Sequence, residues 1–244
     1  MYGGSLANLT GQERARYVQD MFERLAARYD LMNRIMTLGQ DARWRRTVIR
    51  LADLPPGGRL LDLGAGTGDL ARLAVQNNPV SQVVAADFTL EMMRVGRRHT
   101  PDPLSERLAW VGADASRLPF PTGYFNAVVS GFLLRNVADL DMCLAEQRRV
   151  LKPGGRFVAL DTTPPPATPL LPFLRFHLHT VIPTLGALIA GQAEAYHYLP
   201  DTTEGFLAPE ELADRLAASG FVQVRFERRM FGTIAIHSAR KPER

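Results

Sequence analysis

The spacing of apolar positions along the chain changes period twice. From Gly11 to Arg28 the residues Tyr17, Met21, Phe22, Leu25 and Ala26 recur at helical spacing, which predicts an amphipathic helix. Tyr29 to Asn33 extends it into a second short segment. Trp44, Val48, Ile49 and Leu51 mark a further helix that stops before Pro55-Pro-Gly-Gly58. From Arg59 the rhythm becomes strand, helix, strand. Apolar runs at 59–63, 82–86, 108–112, 126–130 and 156–160 alternate with helical segments at about 69–77, 89–98 and 139–151. Apolar strands separated by helices are the pattern of a parallel sheet covered on both faces. Pro153-Gly-Gly155 reads as the turn into the fifth strand. Residues 165–208 then break the rhythm as an apolar helical insertion over the sheet edge. Pro209 to Ser219 predicts a short helix ended by Gly220. Strands at 221–228 and 231–238 are too closely linked to be anything but an antiparallel hairpin. The expected fold is α/β: a seven-stranded, doubly wound sheet with a C-terminal hairpin. Residues 1–244 form one domain, with a helical lid at 11–53 and the insertion at 165–208.

The most telling stretch is Asp62-Leu-Gly-Ala-Gly-Thr-Gly-Asp69, an apolar strand running into alternating glycines and a helix start. Such a turn lets backbone approach a ligand, and the helix aims unpaired N–H groups at it. Asp69 stands where a dinucleotide fingerprint wants a small residue. A carboxylate there repels a pyrophosphate and suits a cationic or zwitterionic ligand end, such as the amino acid moiety of S-adenosylmethionine. The plain alternative is an ordinary strand–turn–helix with Asp69 as a favourable helix-start charge.

In an open α/β sheet the ligand sits beyond the carboxyl ends of the strands. Asp87 follows the second strand, about 20 positions past the glycines, where a carboxylate can accept ribose hydroxyls. Asp114-Ala115 follows the third and could bond an exocyclic adenine amine. Gly131-Phe132 and Leu134-Arg135-Asn136 follow the fourth. Each Asp alone reads equally well as a turn or N-cap residue, but together with the glycine turn they favour an adenosine cofactor. Phe88, Met92 and Met93 either wall an adenine or belong to the core.

Composition adds limits. At 244 residues the chain can bury a sizeable core. A net charge of +4 and a pI near 9.6, with Arg43, Arg45, Arg46 and Arg50 clustered, allow an anionic membrane or nucleic acid as partner. A solvated helix face is the simpler reading. The chain has no basic–aromatic stripe, and no Pro-Pro-aromatic tetrad follows the fourth strand, which speaks against nucleic acid. The single cysteine, Cys143, excludes an internal disulfide and a Cys-based zinc site and fits a reducing compartment; no metal is expected. The N-terminus carries no signal pattern. Residues 170–191 are interrupted by Arg175, His177, His179 and Pro183, short of the roughly 20 apolar residues of a spanning helix. The expectation is a cytoplasmic protein with transient contact at the inner membrane face. A homodimer is left open.

The glycine turn, Asp87, Gly112-Ala-Asp-Ala115 with Leu118-Pro-Phe120, and Val150-Leu-Lys-Pro-Gly-Gly155 resemble class I S-adenosylmethionine-dependent methyltransferases, with their Rossmann-like sheet. Met21 to Asn33, Trp44-Arg-Arg46, Leu134-Arg-Asn-Val137, Tyr196-His-Tyr-Leu-Pro200 and Gly232 to His237 are similar to the demethylmenaquinone/ubiquinone C-methyltransferases. The likeness spans about residues 17–238. It departs at Gly131, where the family has serine, at Leu133, where it has glycine, at Leu160-Asp-Thr-Thr163 and at Thr202-Thr203.

The resemblance implies S-adenosylmethionine held by Asp62, Gly64, Gly66, Thr67, Gly68, Asp87, Phe88, Asp114, Ala115 and Gly131. It implies methyl transfer to a ring carbon of a lipophilic, prenylated hydroquinone contacted by Tyr29, Phe132, Tyr196 and Tyr198. The ring carbon becomes nucleophilic when the adjacent phenol, with a pKa of about 10, loses its proton. Arg135 would stabilise the phenolate. Asn136 would orient the oxygen or a water, and His197 or a water held by Arg135 and Asn136 would take the proton. A surface ion pair with Asp139 is the competing role for Arg135. Tyr196 and Tyr198 alternate in direction with His197 if that segment is extended. The replaced positions keep another small lipophilic phenol open as acceptor, and a nucleic-acid enzyme or a catalytically dead cofactor binder remain as other classes.

Overall fold

Strand β1 (Arg59–Leu63) is buried along nearly its whole length, as a central strand covered on both faces must be. Leu60 packs on one side with Trp44, Val48 and Leu70, while Leu61 packs on the other with Phe125, Leu144 and Leu216. Truncating either leucine to alanine removes about 2–5 kcal/mol of stability. The computed structural model describes residues 11–26, 28–78, 81–187 and 193–244.

Beside β1 lie β2 (Gln82–Asp87), β3 (Leu108–Gly112), β4 (Phe125–Gly131) and β5 (Leu151–Thr162), all parallel; β6 (Val222–Arg229) and β7 (Ile234–Arg240) complete the sheet. The order is β3-β2-β1-β4-β5-β7-β6, with β7 antiparallel to both neighbours. The expected hairpin is present, its last strand wedged between β5 and β6. Helices α3 (Asp41–Ala52) and α4 (Asp69–Asn77) cover one face; α6 (Leu140–Val150) and α10 (Pro209–Ala218) cover the other. Helix α5 (Leu90–Arg98) follows β2. Cys143 on α6 is buried against the Gln147 amide, and burial pushes its thiol up to about 12.

The segmentation differs from expectation in three places. Pro153-Gly-Gly155 lies inside β5, which starts at Leu151; the pairing with β4 shifts between Phe125 and Ala127 to absorb the irregularity. The first helix ends at Leu25, leaving α1 (Gly11–Leu25) and α2 (Tyr29–Met36) as separate pieces. The 165–208 region lies over the carboxyl end of the sheet. It holds α7 (Leu171–Phe176), a π-helical turn at His177–Val181, α8 (Ile182–Leu185) and α9 (Ala193–Glu204). Leu178, Ile182 and Tyr198 from this region pack against Met21, Leu25 and Met32 of α1 and α2, so lid and insertion form one small core of their own. Among the described residues no helix is long and apolar enough to cross a membrane.

Candidate active site

The glycine turn runs from β1 into α4 with Gly64, Gly66 and Gly68 all at positive φ (67°, 56° and 84°). Only part of this turn opens on a cavity. A Cβ on Gly68 would lie 2.4 Å from the Trp110 ring, so packing against β3 demands that glycine, and Gly68 lines no cavity of the site. Gly66 plays a different part, since its N–H donates to Asp87 Oδ2 at 2.7 Å. Asp87 Oδ1 accepts from the Thr89 N–H, also at 2.7 Å. Burial raises the Asp87 carboxyl above the usual range, and these N–H groups oppose the rise.

Above this turn opens a cavity of about 300 Å³ that gathers Gly64, Gly66, Asp87, Asp114, Ala115 and Gly131. Phe88 and Met92 wall it, whereas Met93 is buried elsewhere. Asp114 also caps its own turn, accepting from the Ser116 N–H at 2.8 Å, so the structural and the ligand-facing readings coexist in that residue.

A recess of about 40 Å³ holds the other expected cofactor residues, Asp62 and Thr67, together with Arg45 and Asp69. Asp62 is buried; its Oδ2 accepts from the Ala71 N–H at 2.9 Å, while its Oδ1 has no hydrogen-bond partner. Asp69, expected to greet the ligand's cationic end, lines the same recess and pairs with Arg72 at 2.5 Å and Arg45 at 3.4 Å. Its place at the start of α4 next to two guanidinium groups explains this. The oxygen in this recess that lacks a protein partner is Asp62 Oδ1. Arg45, read from sequence as part of a solvated face, is partly buried, paired with Asp41, and lines the recess. The recess thus sets a carboxyl oxygen and a guanidinium side by side, a pairing that fits the two ends of an amino acid. Thr67 Oγ1 donates to Asp30 Oδ1 at 2.6 Å, tying α2 to the glycine turn.

Burial pushes the Asp62 carboxyl up to about 7, with Asp87 and Asp69 adding repulsion and the Ala71 N–H and Arg45 opposing. The folded protein therefore keeps a proton that the unfolded chain, with a carboxyl near 3.9, releases. The contribution of this group to stability is whole below pH ~4 and is lost as pH rises through about 7. Asp62→Asn, neutral at every pH, is expected to escape that loss. In urea unfolding its stability relative to wild type should rise between about pH 4 and pH 8, and a flat difference would count against a protonated Asp62.

A second cavity, of about 410 Å³, lies beside the first under α1, α2 and α7, lined mainly by Met, Leu and Phe side chains. Phe22, Tyr29, Phe132 and Asn136 line both cavities. Phe132 leaves β4 in the left-handed region at φ 61°, a strained conformation for a side chain of that size, and sits at the junction. Tyr29 is partly buried there; desolvation raises its hydroxyl pKa, and a side-chain hydrogen bond with Asn33 opposes the rise.

Arg135 also lines the second cavity. It does not pair with Asp139, whose carboxylate instead caps α6 through the Met142 N–H at 2.9 Å. Its partner is Asp161 at the end of β5, with Nη1 donating to Oδ1 at 2.5 Å and both side chains buried. The guanidinium also lies 5.3 Å from the centre of the Phe132 ring. Asn136 Nδ2 donates to the Phe132 carbonyl at 3.0 Å, and its Oδ1 accepts from the Tyr198 hydroxyl at 3.3 Å. Tyr198 in turn packs on Tyr17, ring centres 5.7 Å apart. The segment 196–200 is helical in α9, so the alternation expected of an extended run does not occur. The side chains of Tyr196 and His197 lie outside the described residues. His237 is buried and bonded to the Pro209 carbonyl at 2.9 Å, a packing role.

Two adjoining chambers at the carboxyl ends of the strands, one polar at its floor and one greasy, suit a donor and an acceptor held side by side. A model of the ubiE/COQ5 methyltransferase family matches residues 9–241. The chain belongs to that family. It is therefore an S-adenosylmethionine-dependent methyltransferase. It is 46% identical over 220 residues to the ubiquinone/menaquinone biosynthesis C-methyltransferase UbiE of Desulfotalea psychrophila, covering 90% of this chain and 88% of that one. It is 44% identical over 222 residues to the demethylmenaquinone methyltransferase of Thermus thermophilus, covering 91% of this methyltransferase and 100% of the relative. The fold matches phosphoethanolamine N-methyltransferase 2 of Haemonchus contortus with a TM-score of 0.62 at 18% identity, over 82% of this chain and 52% of that one.

Proposed function

We propose that this methyltransferase methylates a ring carbon of a polyprenylated hydroquinone, converting demethylmenaquinol to menaquinol or acting on the equivalent benzoquinol. The observation that carries this reading is the junction of the two chambers at Phe132 and Asn136, with Arg135 in the wall of the apolar one. The relatives' names support it. Bound S-adenosylmethionine supplies an electrophilic methyl group on a sulfonium.

The protein's residues supply position and charge. Asp87 holds the ribose, Asp114 and Ala115 the adenine edge, and Asp62 with Arg45 the amino acid end. Phe132 and Tyr29 hold the acceptor ring in line, a placement that accounts for much of the acceleration. Arg135 favours the phenolate oxygen next to the reacting carbon, and Asp161 fixes the guanidinium. The Tyr198–Asn136 pair sets the polar edge on which that oxygen rests. His197, one residue before Tyr198, or a water held by Arg135 and Asn136, takes the phenolic proton.

The assay is direct. Reduced demethylmenaquinol should gain one methyl group in the presence of S-adenosylmethionine, while the oxidised quinone, which has no phenol to ionise, should gain none. Turnover of unrelated phenols with none of either quinol would defeat the proposal.

The greasy chamber continues to the surface at Leu38, Phe173 and Phe231, which are 79%, 73% and 71% exposed. We assign this rim to contact with the membrane that carries the prenylated substrate. Replacing Phe173 and Phe231 together with serine is expected to weaken binding to phosphatidylglycerol vesicles by about tenfold or more, from the apolar area removed. Cosedimentation equal to wild type would overturn the assignment.

A further inference from the structure

Thr162 at the end of β5 and Thr203 in α9 both line the acceptor chamber, and their side chains meet. They stand 41 residues apart, in two of the stretches where the sequence departs from the family likeness. Thr203 Oγ1 donates to Thr162 Oγ1 at 3.1 Å. Burial fixes that direction. Thr203 is 2% exposed, and among the described residues Thr162 Oγ1 is the one acceptor its hydroxyl meets. A hydroxyl carries one hydrogen and two lone pairs. Thr162 accepts from Thr203 and therefore keeps its own hydrogen to give. It is partly exposed, in a chamber lined mainly by Met, Leu and Phe side chains.

A second observation ties Thr162 to Arg135. Asp161 Oδ1 accepts from Arg135 Nη1 at 2.5 Å and from the Thr162 N–H at 2.8 Å, so one carboxylate oxygen holds the guanidinium and the Thr162 backbone together. β4 and β5 are in register at Gly131 and Leu160, and the loop that carries Arg135 leaves the sheet next to the end of β5. An acceptor oxygen lying against Arg135 thus has Thr162 for a neighbour.

We infer that Thr162 donates a second hydrogen bond to the phenolate oxygen that Arg135 stabilises, and that Thr203 aims it. The inference rests on the hydroquinone reading above and adds a catalytic residue to it. A hydrogen bond to an anion is about twice as strong as one between neutral groups. The hydroxyl therefore favours phenolate over phenol and lowers the pKa of the bound acceptor. Arg135 supplies charge, and Thr162 supplies direction, because engaging one of its lone pairs confines its hydrogen to the remaining tetrahedral positions. Among the described residues the titratable side chains lining the chamber are Tyr29, Arg135, His177 and Tyr198, with Asp161 paired to Arg135. None of these is changed in the variants below, so a shifted pH profile reports the acceptor.

The test is the pH profile of single-turnover methylation of demethylmenaquinol, measured anaerobically with saturating S-adenosylmethionine. Thr162→Val replaces the hydroxyl by a methyl group of similar shape. Below the pKa of the bound quinol it should be slower than wild type by about tenfold or more, the effect of one hydrogen bond to a charged group. The midpoint of its profile should rise by about one pH unit, since each unit corresponds to a tenfold change. Above that midpoint, where phenolate forms unaided, the gap should close. Thr162→Ser keeps the hydroxyl and should restore most of the rate. Thr203→Val leaves Thr162 present but unaimed and should show the same shift at smaller size. Calorimetric S-adenosylhomocysteine binding verifies folding. Because Thr162→Val strands the buried Thr203 hydroxyl, the double variant Thr162→Val, Thr203→Val strands neither group and should keep the shifted profile. A Thr162→Val rate equal to wild type, or a loss of one size at every pH, overturns the inference; an unmoved Thr203→Val profile removes the aiming role. Should wild type methylate no quinol at any pH, the hydroquinone reading itself fails, and that outcome is read before any variant is made.

Discussion

Arg135→Ala is expected to lower turnover of the quinol by about 100-fold or more, the scale seen when a group stabilising developing negative charge is removed. The same change should destabilise the fold by about 3–5 kcal/mol, because it strands the buried Asp161 carboxylate without its cation. These two effects have different origins and can be separated. Arg135→Leu combined with Asp161→Asn removes both charges, so urea unfolding should recover most of the lost stability while single-turnover rates stay low. Recovery of rate along with stability would show that Arg135 only holds the fold. Wild-type turnover in Arg135→Ala would dismiss the phenolate role outright.

The second large effect concerns Asp87. Asp87→Ala should weaken S-adenosylhomocysteine binding by about 100-fold or more, since two hydrogen bonds to a charged group contribute roughly 1.5–3 kcal/mol each. The substitution also orphans the Gly66 and Thr89 N–H groups that meet the carboxylate in the native protein, loosening the glycine turn. Asp87→Asn should fall between, because the amide keeps one acceptor and sets an N–H against another N–H. Calorimetry reads the series. An Ala variant with wild-type affinity would remove the ribose from this strand end.

The parallel strands were legible because each is a short apolar run bounded by turn residues, and such runs survive any tertiary arrangement. The glycine turn, Asp87 and Asp114-Ala115 were legible for a related reason: in this architecture strand ends converge, so position in the chain predicts position in space. What escaped depends on contacts between distant segments. Arg135 pairs with Asp161 rather than Asp139 because β4 and β5 are neighbours in register at Gly131 and Leu160, a fact absent from the local sequence. Arg45 looked like one of several surface arginines until α3 turned that position toward the glycine turn. That the missing side chain of Gly68 makes room for Trp110 is likewise a contact between distant segments. The Tyr-His-Tyr stretch suggested an extended segment, whereas packing of Tyr198 against α1 and the loop after β4 holds it in a helix that even accommodates Pro200.

The lone thiol of Cys143, sealed beneath α6 with scarcely any thiolate near neutral pH, leaves the native surface blank to maleimide reagents. A fluorophore coupled to a cysteine engineered on the exposed face of α7 would consequently occupy a single address. Its emission would report that helix alone, without first stripping the native sulfur from the protein.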